Sequence, residues 1–143
     1  MGNLRAIVEQ HYRDINDHDF ERTRALFSSD VVSGFPGGPP MHGVDEFIQY
    51  GTGMFGAFPD LHVELRNCIE GDGAVIAEAL LTGTHTGALP TPGGDVPPTN
   101  KRIELEVADA FDVENGKVTG HRVYFDQMAM MTQLGLLPEG ATA

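Results

Sequence analysis

A β-hairpin close to the C-terminus constrains the fold more than any other feature of the sequence. Residues 102–114 and 117–126 alternate between apolar and polar side chains on either side of Asn115 and Gly116. This dipeptide readily adopts the positive backbone angles of a type I′ turn, which joins antiparallel strands. The two-residue turn pairs Glu114 with Lys117. The chain therefore contains an antiparallel sheet whose register can be predicted.

Counting back from the turn predicts which residues face each other across the hairpin. The predicted pairs are Asp109 with Arg122, Phe111 with Gly120 and Val107 with Tyr124. Asp109 then lies on a strand face whose other members are apolar, namely Ile103, Leu105, Val107, Phe111 and Val113. A β-bulge, which is common in strongly curved sheets, would shift this register by one residue.

Helices precede the sheet. Periodicity and capping residues predict a helix over 4–15 capped by Asn3, a short helix after Asp19 that ends at 28–30, and a short strand over 31–35. A helix over 44–58 and strands over 61–70 and 74–86 follow. The hairpin comes next, and a last helix is predicted over 127–134. The strand over 74–86 is largely apolar on both faces, as expected of a central strand covered on both sides. The Gly- and Pro-rich segments 34–40 and 87–100 predict loops, and the longer one is placed to cover a cavity mouth.

This order of elements predicts an α+β fold, and 143 residues are enough for one domain, 1–143. The sheet must curl around the helical layer to hide its apolar face. A sheet that curls in this way encloses a pocket.

Composition and charge exclude several classes of protein. The 21 acidic and 9 basic side chains give a formal net charge of -12, which repels phosphate backbones and anionic lipids. An apolar content of 41% without a long apolar run sets aside disorder and membrane insertion. We therefore expect no nucleic-acid and no membrane partner. The single cysteine, Cys68, and a start without a signal-peptide pattern predict a cytoplasmic protein.

The motifs of common cofactor sites are missing from the sequence. It contains no HExxH, no Cys–His spacing typical of zinc, no P-loop, no GxGxxG and no GxSxG elbow. We therefore expect neither a metal nor a nucleotide cofactor, and no serine nucleophile.

Two carboxyl groups are candidates for acid/base catalysis. A buried charge at Asp109 is costly unless it is paired with Arg122 or takes up a proton, which would raise its pKa and suit it to such chemistry. The alternative is a structural ion pair. Asp126 lies on the same strand face as Arg122 and Tyr124, just before an apolar helix. It suits either an acid/base role or a helix N-cap, and the sequence alone does not decide between them.

Other residues are candidates for the walls of the pocket. Tyr12, on the buried stripe of the first helix, either aims its hydroxyl into the pocket or belongs to the core. His85, where a buried strand runs into the 87–100 loop, either reaches the cavity mouth or lies in a solvated turn. Further predicted lining residues are Phe58, Val107, Phe111 and Tyr124.

Several strings resemble the SnoaL-like polyketide (ester) cyclase family, within the nuclear transport factor two-like superfamily of cone-shaped α+β folds. They are AFPDLHVEL, TGTHTG with the following PPTNKRIEL, and above all GKVTGHRVYFDQMAMMTQLGLLP. The resemblance covers nearly the whole chain. It implies a cone-shaped roll with three N-terminal helices, a deep apolar pocket, no cofactor, and a homodimer or homotetramer built on the outer face of the sheet.

The resemblance also implies roles for particular residues. The aspartate of the YFDQ string, here Asp126, would be the acid/base residue of an intramolecular aldol ring closure on a small apolar carbonyl compound. By position, Asp109 would assist it, with Arg122 deeper in the pocket.

Three alternatives remain open at this point. Epoxide hydrolases of the limonene epoxide hydrolase type use an Asp–Arg–Asp set, for which Asp109, Arg122 and Asp126 are candidates. Ketosteroid isomerase-like proteins combine a first-helix tyrosine with a strand aspartic acid, as Tyr12 and Asp109 would. The third alternative is a non-catalytic small-molecule-binding module.

Overall fold

The computed structural model describes residues 4–91 and 93–137. Its elements are α1 (Leu4–Asn16), a 3-10 helix (Phe20–Ala25), β1 (Phe27–Gly34), β2 (Met41–His42), α2 (Val44–Ala57), β3 (His62–Glu70), β4 (Ala74–Thr84), β5 (Arg102–Glu114), β6 (Lys117–Tyr124) and α3 (Gln127–Gln133). Asn3, the predicted cap of α1, lies outside the described residues. The predicted α+β class is confirmed.

Six strands form one curved, unclosed sheet in the order β2-β1-β6-β5-β4-β3. Neighbouring strands are antiparallel except β1 and β6, which are parallel. The helices pack against the inner face of this sheet, and the buried side chains of α1 and α2 meet those of the strands there. The inner face therefore encloses the core, while the outer face is left to solvent in the single chain.

The hairpin turn forms as predicted, but a bulge follows it. Asn115 and Gly116 have positive φ angles of 52° and 77°, and Glu114 pairs with Lys117. Past Val113 and Val118 the register slips by one, and Asp112 pairs with Gly120. Gly120 permits this close approach, because a Cβ atom there would lie 2.6 Å from Oδ2 of Asp112.

The predicted pairs beyond the bulge are therefore wrong. The observed pairs are Phe111 with His121, Ala110 with Arg122, Asp109 with Val123, and Ala108 with Tyr124. A slip of one residue turns every later side chain of a strand to the opposite face. His121 and Val123 consequently face the core, whereas Arg122 and Tyr124 face outward.

Two other expectations also need correction. The short second helix is a 3-10 helix that ends at Ala25, because Phe27 pairs with Val118 and begins β1 instead. The strand β4 is covered only on its inner face, since the helices pack on that side alone, and Ile76 on the outer face is 43% exposed.

The first predicted loop packs on the start of α3, and the second begins at the end of α2, where the backbone N–H of Gly87 donates a hydrogen bond of 3.1 Å to the carbonyl oxygen of Ala57. In the first, Gly37 has a φ of 82°, a left-handed backbone conformation that favours glycine. Within the second loop, Leu89 and Val96 form a β-bridge. No helix in the part of the chain that the structure describes is long and apolar enough to cross a bilayer.

Candidate active site

A cavity of about 470 Å³ lies between the helices and the inner face of the sheet. Its walls are mostly apolar, with aromatic and methionine side chains prominent. They include Phe20, Phe35, Met41, Phe47, Tyr50, Met54, Leu105, Val107, Phe125, Met130 and Met131. Residues 35–39 and 89–91 also line it, so both predicted loops contribute to its walls. Pockets of this size and character hold small organic ligands.

Asp109 is the polar centre of this cavity. It lies on the inner face of β5 and is 8% exposed. The hydroxyl of Tyr12, from α1, donates a hydrogen bond to Oδ2 of Asp109. Nε2 of His121, from β6, lies 3.1 Å from Oδ1. Two donors from different elements thus compensate for the burial of the carboxylate.

The bulge in the hairpin assembles this trio. Without the slip at Gly120, His121 would face outward and Arg122 inward. With it, His121 lies beside Asp109 and packs against Phe111, with ring centroids 4.8 Å apart. The aromatic surroundings exclude water from the imidazole, which is 4% exposed.

A second histidine lies close by on α1. The ring centroids of His11 and His121 are 6.4 Å apart. Complete burial, reinforced by the nearby His121, lowers the pKa of His11 from 6.5 to about 3, although Asp109 acts in the opposite direction. His11 is therefore a neutral imidazole at neutral pH.

The two tyrosines of the cavity are held in the protonated form. Burial, and then the charge and hydrogen bond of Asp109, raise the pKa of Tyr12 far above its usual value. Burial, and then the charge of Asp109, raise the pKa of Tyr50 to about 12. Tyr50 also lines the cavity, and its hydroxyl is neutral at neutral pH.

The cavity wall has few charged side chains. Among the described residues that line it, Asp109 is the one carboxylate, and neither Lys nor Arg is present. An anionic ligand group would find no cationic side chain there. The cavity therefore suits an uncharged, largely apolar ligand.

Arg122 is not part of this site, so the predicted Asp109–Arg122 pair is wrong. It lies on the outer face of β6, where Nη1 bonds Oδ2 of Asp112 at 2.8 Å. The physical reason is again the bulge, which sends Arg122 to the outside. The Asp–Arg–Asp set is not assembled, since these three side chains do not share a face.

Asp126 lies at the surface. Its side chain is exposed, and Oδ1 accepts a hydrogen bond of 3.1 Å from the backbone N–H of Ala129. It is thus the N-cap of α3, the second of the two possibilities that the sequence left open. The structure does not bring it to the cavity beside Asp109.

The other predicted lining residues divide into two groups. Tyr12 and Val107 line the cavity, whereas Phe111 does not and instead packs its ring against that of His121. Tyr124 does not line it and is 57% exposed, because the register slip turns it outward. Phe58 and His85 are fully buried against each other outside the cavity walls.

His85 has a structural partner instead of a ligand. Its Nδ1 accepts a hydrogen bond of 3.2 Å from the backbone N–H of Thr99. It thereby ties the end of the 87–100 loop to β4. Burial lowers its pKa, so the neutral form that this bond requires is favoured.

Three cavity residues, His11, Tyr50 and His121, were not predicted from the sequence. Tyr50 follows Phe47 by three positions and precedes Met54 by four, which places it on the buried stripe of α2. His11 precedes Tyr12 on the buried stripe of α1. His121 becomes visible as an inward residue only when the bulge is known. Among the described residues, no group of three or more His, Cys, Asp or Glu side chains is arranged to hold a metal ion.

Comparison with known proteins defines the class. The family model for SnoaL-like polyketide cyclases matches residues 6–134. The chain therefore belongs to the SnoaL-like polyketide cyclase family. Among curated proteins, none matches the sequence at a significant level.

Solved structures share the fold. A candidate SnoaL-like polyketide cyclase from Jannaschia sp. CCS1 superposes with a TM-score of 0.82 at 23% identity, covering 96% of this chain and 98% of that one. IdmH, a candidate polyketide cyclase from Streptomyces antibioticus, gives 0.77 at 23% identity, covering 94% and 99%. An epoxide hydrolase from M. tuberculosis that is like limonene epoxide hydrolase gives 0.72 at 21% identity, covering 92% and 88%. At these identities the likeness establishes the fold alone.

Proposed function

We propose that this protein is an acid/base enzyme that closes a ring by intramolecular aldol addition in an uncharged, apolar carbonyl compound. The observation that supports this most is the single carboxylate of Asp109 in the wall of an apolar cavity, between Tyr12 and His121. Family membership supports the reaction class. In this proposal Asp109 takes the role that the sequence analysis gave to Asp126.

The reaction needs one base that later becomes an acid. Asp109 removes a proton from a carbon that lies between carbonyl groups, which leaves an enolate. The enolate carbon attacks a second carbonyl of the same molecule, forming the new C–C bond and an alkoxide. Protonated Asp109 returns its proton to the alkoxide, so that the atoms balance and the enzyme is regenerated.

The neighbouring groups have defined parts in this scheme. Tyr12 and His121 hold the carboxylate in one orientation, so the base is preorganised before the substrate binds. Tyr50 donates a hydrogen bond to the oxygen on which charge develops, since its hydroxyl stays protonated up to a pH of about 12. The apolar walls keep water from competing for the enolate.

The epoxide hydrolase hypothesis has less structural support. It requires two carboxylates and an arginine around one water, whereas Arg122 pairs with Asp112 on the outer face and Asp126 caps a helix. Asp109 alone remains at the cavity.

Proton abstraction from carbon can be measured before the natural substrate is known. We would incubate the protein in D₂O with aromatic 1,3-dicarbonyl esters and follow deuterium incorporation at the acidic carbon by NMR. The proposal predicts exchange above the buffer rate, with Tyr50→Phe about a hundredfold slower because it lacks the oxyanion donor.

A matched pair of variants on α3 tests whether the reaction takes place in the cavity. Met130 lines the cavity, whereas Met128 on the same helix is 55% exposed. Met130→Trp should fill the cavity and suppress exchange, while Met128→Trp should not. Binding of the esters without any exchange above buffer would instead indicate a non-catalytic binding module.

We also propose that copies of this chain associate through the outer face of the sheet. Exposed apolar side chains lie there on two pairs of strands that flank β5, with Val32 and Tyr124 on β1 and β6, and Ile69 and Ile76 on β3 and β4. Exposed apolar patches of this kind typically mark interaction surfaces. Light scattering should give a dimer or tetramer mass for the natural chain and a smaller mass for Ile76→Glu. A monomer mass for the natural chain would contradict the proposal.

A further inference from the structure

One ring nitrogen of His121 is buried without a hydrogen-bond partner among the described residues. Its Nε2 faces Asp109 at 3.1 Å, but its Nδ1 is buried and unbonded within the described part of the chain. An imidazole that donates through Nε2–H in its neutral form presents a lone pair at Nδ1. Leaving that lone pair without a donor in an apolar surrounding costs free energy.

Ser33 is in the corresponding position on the next strand. Ser33 of β1 is the direct register partner of His121 of β6 in the parallel pair, so both side chains lie on the inner face. Ser33 is 1% exposed, and its Oγ also has no hydrogen-bond partner among the residues that the structure describes. Two adjacent buried groups thus lack a partner, and their chemistry is complementary.

The arrangement of the strands directs the two groups toward each other. β6 lies between β5, which holds Asp109, and β1, which holds Ser33. The two nitrogens of an imidazole point to different sides of the ring, and Nε2 faces Asp109 of β5, so we infer that Nδ1 is available to β1, the strand on the other side of β6. A change between staggered χ1 rotamers of Ser33 moves its hydroxyl without any change in the backbone.

We propose that Ser33 is a positioning residue, whose hydroxyl donates a hydrogen bond to Nδ1 of His121. This bond holds the neutral imidazole in the tautomer that carries its proton on Nε2, where it bonds Asp109. Outer partners of this kind fix the tautomer and orientation of histidines in functional sites. The catalytic consequence rests on the proposed function, but the tautomer itself does not.

Two variants of equal shape isolate the hydroxyl. Ser33→Thr and Ser33→Val add side chains of the same outline to the buried position, and they differ only in the group that can donate. Ser29→Ala removes an exposed serine from the same strand and controls for effects on β1. The His121 signals are assigned from their loss in His121→Gln.

Long-range ¹H–¹⁵N NMR of the imidazoles gives the direct readout, without substrate. We expect His121 of the natural chain, Ser33→Thr and Ser29→Ala to be protonated at Nε2, with the Nδ1 resonance in the range of a hydrogen-bond acceptor. In Ser33→Val the Nδ1 resonance should move downfield, toward the value of a ring nitrogen that accepts no hydrogen bond. If an aldol substrate is available, kcat of Ser33→Val should be about fivefold below that of Ser33→Thr at similar KM, the effect of one net hydrogen bond.

The result that overturns the proposal is the same Nδ1 resonance in the Thr and Val variants, or protonation at Nδ1 in the natural chain. The two proposals fail in different ways. A chain that shows the expected NMR difference but exchanges no carbon-bound proton would contradict the proposed function and leave the role of Ser33 in place.

Discussion

Asp109 and Asp126 have opposite surroundings, although only the β5–β6 hairpin separates them. Asp109 is buried, and its oxygens are hydrogen-bonded to the side chains of Tyr12 and His121 from two other elements. Asp126 is exposed, and its oxygen accepts a hydrogen bond from a backbone N–H of the helix that follows it. The face of a strand and the start of a helix therefore give the same residue type different chemistry. A carboxylate next to an apolar sequence is not necessarily a carboxylate in an apolar site.

The first prediction concerns the buried side of this comparison. The pKa of His11 in the folded chain is about 3, below the ordinary 6.5. Between these values the unfolded chain binds a proton that the folded chain does not, so the free energy of unfolding falls as the pH drops below 6.5. By pH 5 this single group should remove about 2 kcal/mol.

Urea denaturation at pH 7 and pH 5 measures this effect. In His11→Phe, which keeps an aromatic ring among the surrounding rings, the loss between the two pH values should be smaller by that amount. His85, whose pKa burial also lowers, contributes in the same direction and remains in both proteins. An identical pH dependence in the variant would show that His11 is not buried in its neutral form.

The second prediction concerns the exposed side. Asp126→Ala removes the N-cap of α3 and should lower the free energy of unfolding by about 1 kcal/mol. Asp126→Asn should preserve stability, because asparagine caps helices equally well. Thermal denaturation of the two variants distinguishes them. Equal stability of both would mean that the bond to Ala129 does not stabilise the helix.

The smallest effect is expected for Arg122. It pairs with Asp112 on a partly exposed surface, so Arg122→Gln should change the free energy of unfolding by less than about 1 kcal/mol. The rate of proton exchange from carbon should not change. A large loss of activity at constant stability would place Arg122 in the cavity and restore the register predicted from the turn alone.

Much of the fold could be predicted because its determinants are local. The positive φ angles at Asn115 and Gly116 and the stripes of α1 and α2 follow from residues close in sequence. The register of β6 could not be predicted, because a bulge leaves one residue between Val118 and Gly120 without a partner on β5. The alternation of apolar and polar residues does not reveal where such an extra residue lies.

The site was predicted only in part, because some of its residues lie beyond the bulge. Asp109, Tyr12 and Val107 lie on elements whose faces are fixed before the bulge or far from it, and all three line the cavity. His121 was missed because its face is set after the bulge. The choice between cap and catalyst at Asp126 needed the start of α3, where a hydrogen bond to Ala129 decides the geometry.

The central claim is that catalysis belongs to the carboxylate of Asp109, and a comparison of two conservative variants tests it most directly. Asp109→Asn and Asp126→Asn each replace a carboxylate by an amide of nearly the same shape. We would measure the rate of carbon-bound proton exchange for both proteins under the same conditions. The account predicts a loss of about 10²- to 10⁴-fold for Asp109→Asn and no change for Asp126→Asn. Full activity in Asp109→Asn together with a loss of that size in Asp126→Asn would contradict it.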